Sequence, residues 1–106
     1  MPKYLVQGSY TADGAKGLLK DGGSKRRAAV EEMAKSYGGK VEAFYYALGD
    51  SDVFVIIDGP DNVTAVAASL AVNAVGAVRL KTTPLLTAEE MDQAAKKGVT
   101  YRPPGA

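Results

Sequence analysis

The sequence predicts an α+β fold: a four-stranded sheet in the ferredoxin-like β-α-β-β-α-β order, with a further helix at its C-terminal end. Three observations carry this. Strand-like and helix-like periodicities alternate along the 106 residues. A polar turn, Gly49-Asp50-Ser51-Asp52, joins two strand-like runs into an antiparallel hairpin. Thr87-Ala88-Glu89-Glu90 has the pattern of a capping box, which starts a helix after the last strand.

Taken in order, Lys3 to Tyr10 is rich in Tyr, Leu, Val and Gln without a helical stripe, and reads as the first strand, closed by Thr11-Ala12-Asp13-Gly14. Ala15 to Asp21 reads as a short helical turn ending at Gly22-Gly23. A clearer helix runs from about Ser24, its expected cap, to Tyr37. Its apolar Val30, Met33, Ala34 and Tyr37 share one face, and Gly38-Gly39 stops it. Lys40 to Leu48 and Val53 to Ile57 are the hairpin strands, with Leu48 expected opposite Val53, Tyr46 opposite Val55 and Phe44 opposite Ile57. Asp61 caps the next helix, whose stripe of Val63, Val66, Ala67, Leu70 and Ala74 is expected to be buried, and Gly76 ends it. Ala77 to Leu86 is the fourth strand, with Val78 and Leu80 on one face and Arg79 and Lys81 on the other. The last helix reaches about Lys97 and stops at Gly98. This divides the chain into a domain over 1–98 and an extended tail over 99–106.

Val53-Phe54-Val55-Ile56-Ile57 is apolar on both faces, where a sheet covered on one side alternates apolar with polar. Two long helices cover one face of such a sheet. The second face therefore calls for a partner subunit, and the chain is expected to be a homodimer or a higher homo-oligomer.

Apolar residues at 46% and charged residues at 24% are those of a folding globular domain. A net charge of +1 gives no field to draw nucleic acid or an anionic membrane. No hydrophobic run is long enough for a signal peptide or a membrane span, which points to the cytoplasm. The chain has neither cysteine nor histidine, which removes thiolate chemistry, Fe–S and zinc-finger ligation, and the side chain that titrates near neutrality. Haem is disfavoured for the same reason, and no cofactor is expected. Asp50, Asp52 and Asp58 are the only grouped carboxylates, enough at most for a loose Mg²⁺ or Ca²⁺ site, so no metal is assigned.

Several residues are candidates for a site, each with a plainer alternative. Arg79 and Lys81 suit an anionic ligand; the same charges also keep an edge strand soluble. Tyr45, Tyr46 and Phe44 suit an aromatic pocket or simple core. Asp50 and Asp52 suit a general base or a turn that bonds its own backbone. Lys25-Arg26-Arg27 at a helix start suits an anion or merely a solvated first turn, and Gly22-Gly23-Ser24 lacks P-loop spacing. Asn73 and Thr82 suit pocket hydrogen bonds or capping and ladder-side roles.

Around the hairpin and the helix after it, the chain resembles the GYD domain family of small bacterial and archaeal proteins. Gly22 to Arg27, Gly49 to Ile57, Gly59-Pro60-Asp61, Asn73 to Arg79 and Thr87 to Met91 follow that family's order, over roughly Lys3 to Ala95. The family's Gly-x-Tyr-Asp turn has Ser51 in place of the tyrosine here, while Gly49 and Asp52 remain. The resemblance implies a dimeric α+β barrel in which two sheets face each other. Relatives of that barrel bind small molecules between sheet and helices and include cofactor-independent monooxygenases, isomerases and haem enzymes.

Three functions follow as expectations. The first is a small-molecule-binding homo-oligomer, with Tyr45, Arg79, Lys81 and Asn73 on the ligand. The second is a cofactor-independent monooxygenase or isomerase, with Tyr46, Asp52 or Arg79 polarising a small organic substrate. The third is a structural or regulatory interaction module.

Overall fold

The computed structural model describes residues 1–106. Eight elements follow one another: β1 (Lys3–Tyr10), α1 (Ala12–Asp21), α2 (Gly23–Ser36), β2 (Lys40–Tyr46), β3 (Val53–Asp58), α3 (Asn62–Val75), β4 (Val78–Leu85) and α4 (Ala88–Lys96). The strands form one sheet in the order β2-β3-β1-β4, every neighbouring pair antiparallel. This is the ferredoxin-like α+β arrangement the sequence predicts, with one helix more.

The extra helix is α1, which replaces the expected turn and short helical segment. Thr11 caps it by accepting from the Gly14 amide. The Thr11 amide also bonds the Ala77 carbonyl at 3.0 Å, tying the start of α1 to the start of β4. Ser24 is not a cap. α1 and α2 meet at Gly22, whose φ of 82° reverses the chain so sharply that α2 begins at Gly23 with no side-chain cap.

The hairpin pairs Tyr46 with Val53 and Phe44 with Val55, two residues from the expected register, and, past a bulge, Val41 with Ile57, three residues from it. The Ala47 amide bonds the Asp52 carbonyl at 2.7 Å, so the loop is centred one residue earlier than expected and Leu48 is left in solvent. A slip of two keeps every side chain on its face. An irregularity between Val41 and Ala43 bulges Glu42 out, towards Lys3.

Helices lie on one face only. α2 packs over β2 and α3 over β4, at opposite edges of the sheet, while α1 rests against α2 and β1. Beneath them Val53, Val55 and Ile57 of β3 are buried with Ala34 of α2. On the open face Phe54, Ile56 and Leu5 are only half-buried.

α3 is rotated from the expected phase. Val63, Val66 and Leu70 are exposed, as are Ala67 and Ala74. Ala65, Ala68, Ser69 and Val72 face the sheet instead. The helix is apolar nearly all round, so its few polar groups decide the rotation. Asn62 accepts from the Tyr4 hydroxyl, Ser69 bonds the Thr82 hydroxyl, and Asn73 accepts from the Leu80 amide, each at 2.7 Å. α3 thus docks by short side chains and three hydrogen bonds and presents its larger apolar residues to solvent.

From Leu86 onward every residue is exposed, α4 included. α4 has its capping box between Thr87 and Glu90 but buries no residue. The radius of gyration is 16.8 Å, against about 13 Å for a compact domain of this length. The accessible surface is 7611 Å², against about 5,600 Å² for a compact chain of this mass.

Two glycines of α1 test this account. A Cβ on Gly14 would sit 1.9 Å from the Ala77 carbonyl oxygen, whereas one on Gly17 meets nothing within 4 Å. Gly14→Ala should destabilise the fold by about 1–3 kcal/mol. Gly17→Ala should stabilise it by up to about 1 kcal/mol, both read from urea unfolding.

Candidate functional site

Because α2 and α3 stand over opposite edges of the sheet, a cleft opens between them above β1 and β3. Its volume is about 290 Å³, close to the lower end of the range for small-molecule sites, about 300–1,000 Å³. The floor is Tyr4, Val6 and Tyr10 of β1 with Val53, Val55 and Ile57 of β3. α2 supplies Arg26, Ala29, Val30, Met33 and Tyr37, one face at helical spacing. α3 supplies only short side chains, Ala65, Ala68, Ser69 and Val72, and this is why space remains. At Gly8, in the middle of β1, Val53, Val78 and Leu80 close over the strand, and a Cβ there would lie 2.8 Å from Val53.

The cleft is apolar apart from a few groups. Arg26 is the single charged residue on its lining, is half-buried, and makes no ion pair. It also borders a neighbouring groove under α1, together with Asp13 and Asp21. Tyr10 lines both spaces. Burial raises the pKa of the Tyr37 phenol above its ordinary value.

Tyr46 closes the α2 end of the sheet, donating its hydroxyl to the Gly23 carbonyl at 2.9 Å and setting its ring edge-on to Phe44 at 5.2 Å. Its pKa is raised, first by burial and then by the Tyr10 phenol, against a smaller opposing pull from Arg26 and Arg27. Asp52 is equally engaged. Its carboxylate accepts from the Tyr10 amide at 2.9 Å, its amide donates to the Gly8 carbonyl at 2.8 Å, and Ser9 bonds the neighbouring Asp50 carbonyl. These contacts strap the hairpin turn to β1.

The other expected site residues lie elsewhere. Tyr45, Arg79 and Lys81 are exposed on the open face of the sheet, away from the cleft, with Tyr45 on one edge strand and the two cations on the other. Asn73 shields the outward Leu80 amide of edge strand β4. Asp50 and Asp52 lie at one end of β3 and Asp58 at the other, so the three do not form the loose cation site the sequence left open. Asp58 instead holds Lys3 at 2.7 Å, and Glu42 holds it at 2.6 Å. These bonds, Asp58 first, raise the Lys3 pKa. Sequence reasoning offered Arg26 only as part of a basic helix start and missed Tyr4 and Tyr10, which line the cleft with it. Their signal was present in the alternation Tyr4, Val6, Tyr10 along β1 and in the helical offset from Arg26 to Val30, Met33 and Tyr37.

Residues 4–95 match the GYD domain family, most of the chain. The chain belongs to that family. This GYD protein is also 29% identical, over 82 residues, to a Thermus thermophilus protein named glutamine synthetase and cystathionine beta-lyase binding protein, spanning 77% of this chain and 85% of that one. No solved structure matches it. No helix is long and apolar enough to cross a membrane.

In this GYD protein the aspartate of the family turn has a visible structural task. Asp52→Ala removes a charged acceptor from a partly buried amide and should cost about 1.5–3 kcal/mol in chemical denaturation. Asp50→Ala, whose side chain bonds nothing, should stay within about 0.5 kcal/mol of the wild type.

Proposed function

We propose that this GYD protein is a binding protein that works as a homodimer, joined through the open faces of two sheets, and that it holds a mainly apolar small molecule in the cleft of each subunit. The cleft carries the reading: it is a preformed apolar space over the sheet with one unpaired cation, Arg26, on its wall. Such a space suits a ligand with an apolar body and a polar or anionic end.

The open sheet face supports the dimer. Phe54, Ile56 and Leu5 form its half-buried apolar centre. Covering each of the larger side chains contributes on the order of 1.5–3 kcal/mol before association costs. Tyr45, Arg79 and Lys81 border that face, and we assign them to the subunit contact rather than to the small molecule. The enzyme reading puts Tyr46, Asp52 or Arg79 on a small organic substrate. Here Asp52 is taken up by β1, Tyr46 by Gly23, and Arg79 stands on the opposite face of the sheet.

The exposed apolar stripe of α3 and the name of the Thermus relative favour a second reading, in which a GYD domain docks on an enzyme. Leu70→Glu, on the outer face of α3, should abolish binding to glutamine synthetase in that case and leave dimer and ligand untouched. Unaltered binding removes α3 as the docking surface.

Decanoate is a suitable probe for the cleft. It should raise the melting temperature of the wild type. Ala68→Leu, which fills the cleft, should abolish that rise, and an undiminished rise in the variant rejects the cleft as the site. Ile56→Asp should convert a micromolar dimer into monomer in sedimentation equilibrium. A monomeric wild type overturns the dimer.

A further inference from the structure

We propose that α4 and the chain leading to it form an exchanged arm, laid by each subunit on the open sheet face of a second copy, with Glu89 and Asp92 of one subunit facing Arg79 and Lys81 of the other. The inference rests on the homodimer proposed above and assigns its polar contacts.

A nine-residue helix is the first reason. Isolated helices shorter than about 12–15 residues are marginal in water. α4 buries no residue against its own chain, so its capping box alone must hold it. A docking surface supplied by another molecule resolves this. Leu86, just before α4, and Val99 and Tyr101, beyond it, are the apolar groups the arm offers, all exposed.

Surface area is the second. The chain shows roughly 2,000 Å² more accessible surface than a compact chain of its mass. A standard interface takes about 800 Å² from each partner, and obligate homodimers take more. The excess therefore suits a subunit built to be completed by its twin. The molecule measures 56 Å along its longest axis against 33 Å and 23 Å across, a shape with a projecting arm.

Charge is the third. Arg79 and Lys81 are exposed on the outward side of β4 and pair with no carboxylate. Glu89 and Asp92 lie on α4 three residues apart, which places them on one side of the helix, and neither is engaged. Glu90, between them, is occupied by the capping box. Two free anions on a loose arm and two free cations on the face that needs cover are complementary. In a twofold dimer each contact occurs twice.

The anion suited to Arg79 and Lys81 is then a carboxylate pair from the second copy. The tail beyond α4 continues the arm with Val99 and Tyr101 as further apolar contacts.

Sedimentation equilibrium on the full chain tests the pairing. Arg79→Glu with Lys81→Glu should weaken the dimer about tenfold or more, and so should Glu89→Lys with Asp92→Lys. The fourfold variant, with both charges exchanged, should recover most of the wild-type dimer constant. Rising salt should weaken the wild type in the same direction. A wild-type dimer indifferent to both reversals overturns the arm contact and leaves the sheet-face dimer standing. Weakening by both reversals without recovery in the fourfold variant also rejects the pairing. A wild type that is monomeric while Ile56→Asp changes nothing overturns the dimer itself.

Discussion

A strand that is apolar on both faces needs cover on both, and in this chain the helices supply it on one. β3 lies in the interior of the sheet, between β2 and β1. Val53, Val55 and Ile57 go under the helices and form the centre of the core. Phe54 and Ile56 point the other way, where the chain offers no second layer. Every larger feature of the molecule follows from this asymmetry. The buried side draws α2 and α3 to the sheet, and the open side leaves Leu5, Phe54 and Ile56 half-buried.

The helices that cover the first face do so incompletely, and the cleft is the consequence. α2 brings Met33, Val30 and Tyr37 to the sheet, side chains large enough to fill space. α3 brings alanines and a serine, and it is held by hydrogen bonds rather than by apolar bulk. Small side chains allow a close approach, yet they fill little of the gap towards α2. The same choice turns Val63, Val66, Leu70 and Val75 outward. One helix thus creates both an internal space and an external apolar strip.

The turn between β2 and β3 shows how a residue that looks chemical in sequence becomes structural in space. Asp52 has the composition of a general base, but its carboxylate is spent on the Tyr10 amide and its own backbone bonds Gly8. Those contacts fix the turn to the end of β1, beyond the ladder that already pairs β1 with β3. Arg26 went the other way. It read as part of a basic first turn, either solvated or holding an anion, and the packing of α2 brings it to the wall of the cleft.

The succession of strands along the chain, the hairpin, the capping box at Thr87 and the two-sided character of β3 were legible in the residues, because alternation, turn composition and capping are local properties that a short window contains. Local patterns fail where they are degenerate. A helix as uniformly apolar as α3 has no phase until Tyr4, Thr82 and Leu80 provide partners for its polar groups. A hairpin register can slip by two without moving any side chain to the wrong face, so only the bond between Ala47 and Asp52, and the hold of β1 on Asp52, decide it. The residues by themselves therefore determined which strands form and that β3 is apolar on both faces. Their three-dimensional arrangement alone decided how α3 is turned, where the cleft opens and which charges face it, since these depend on contacts between segments distant in the chain.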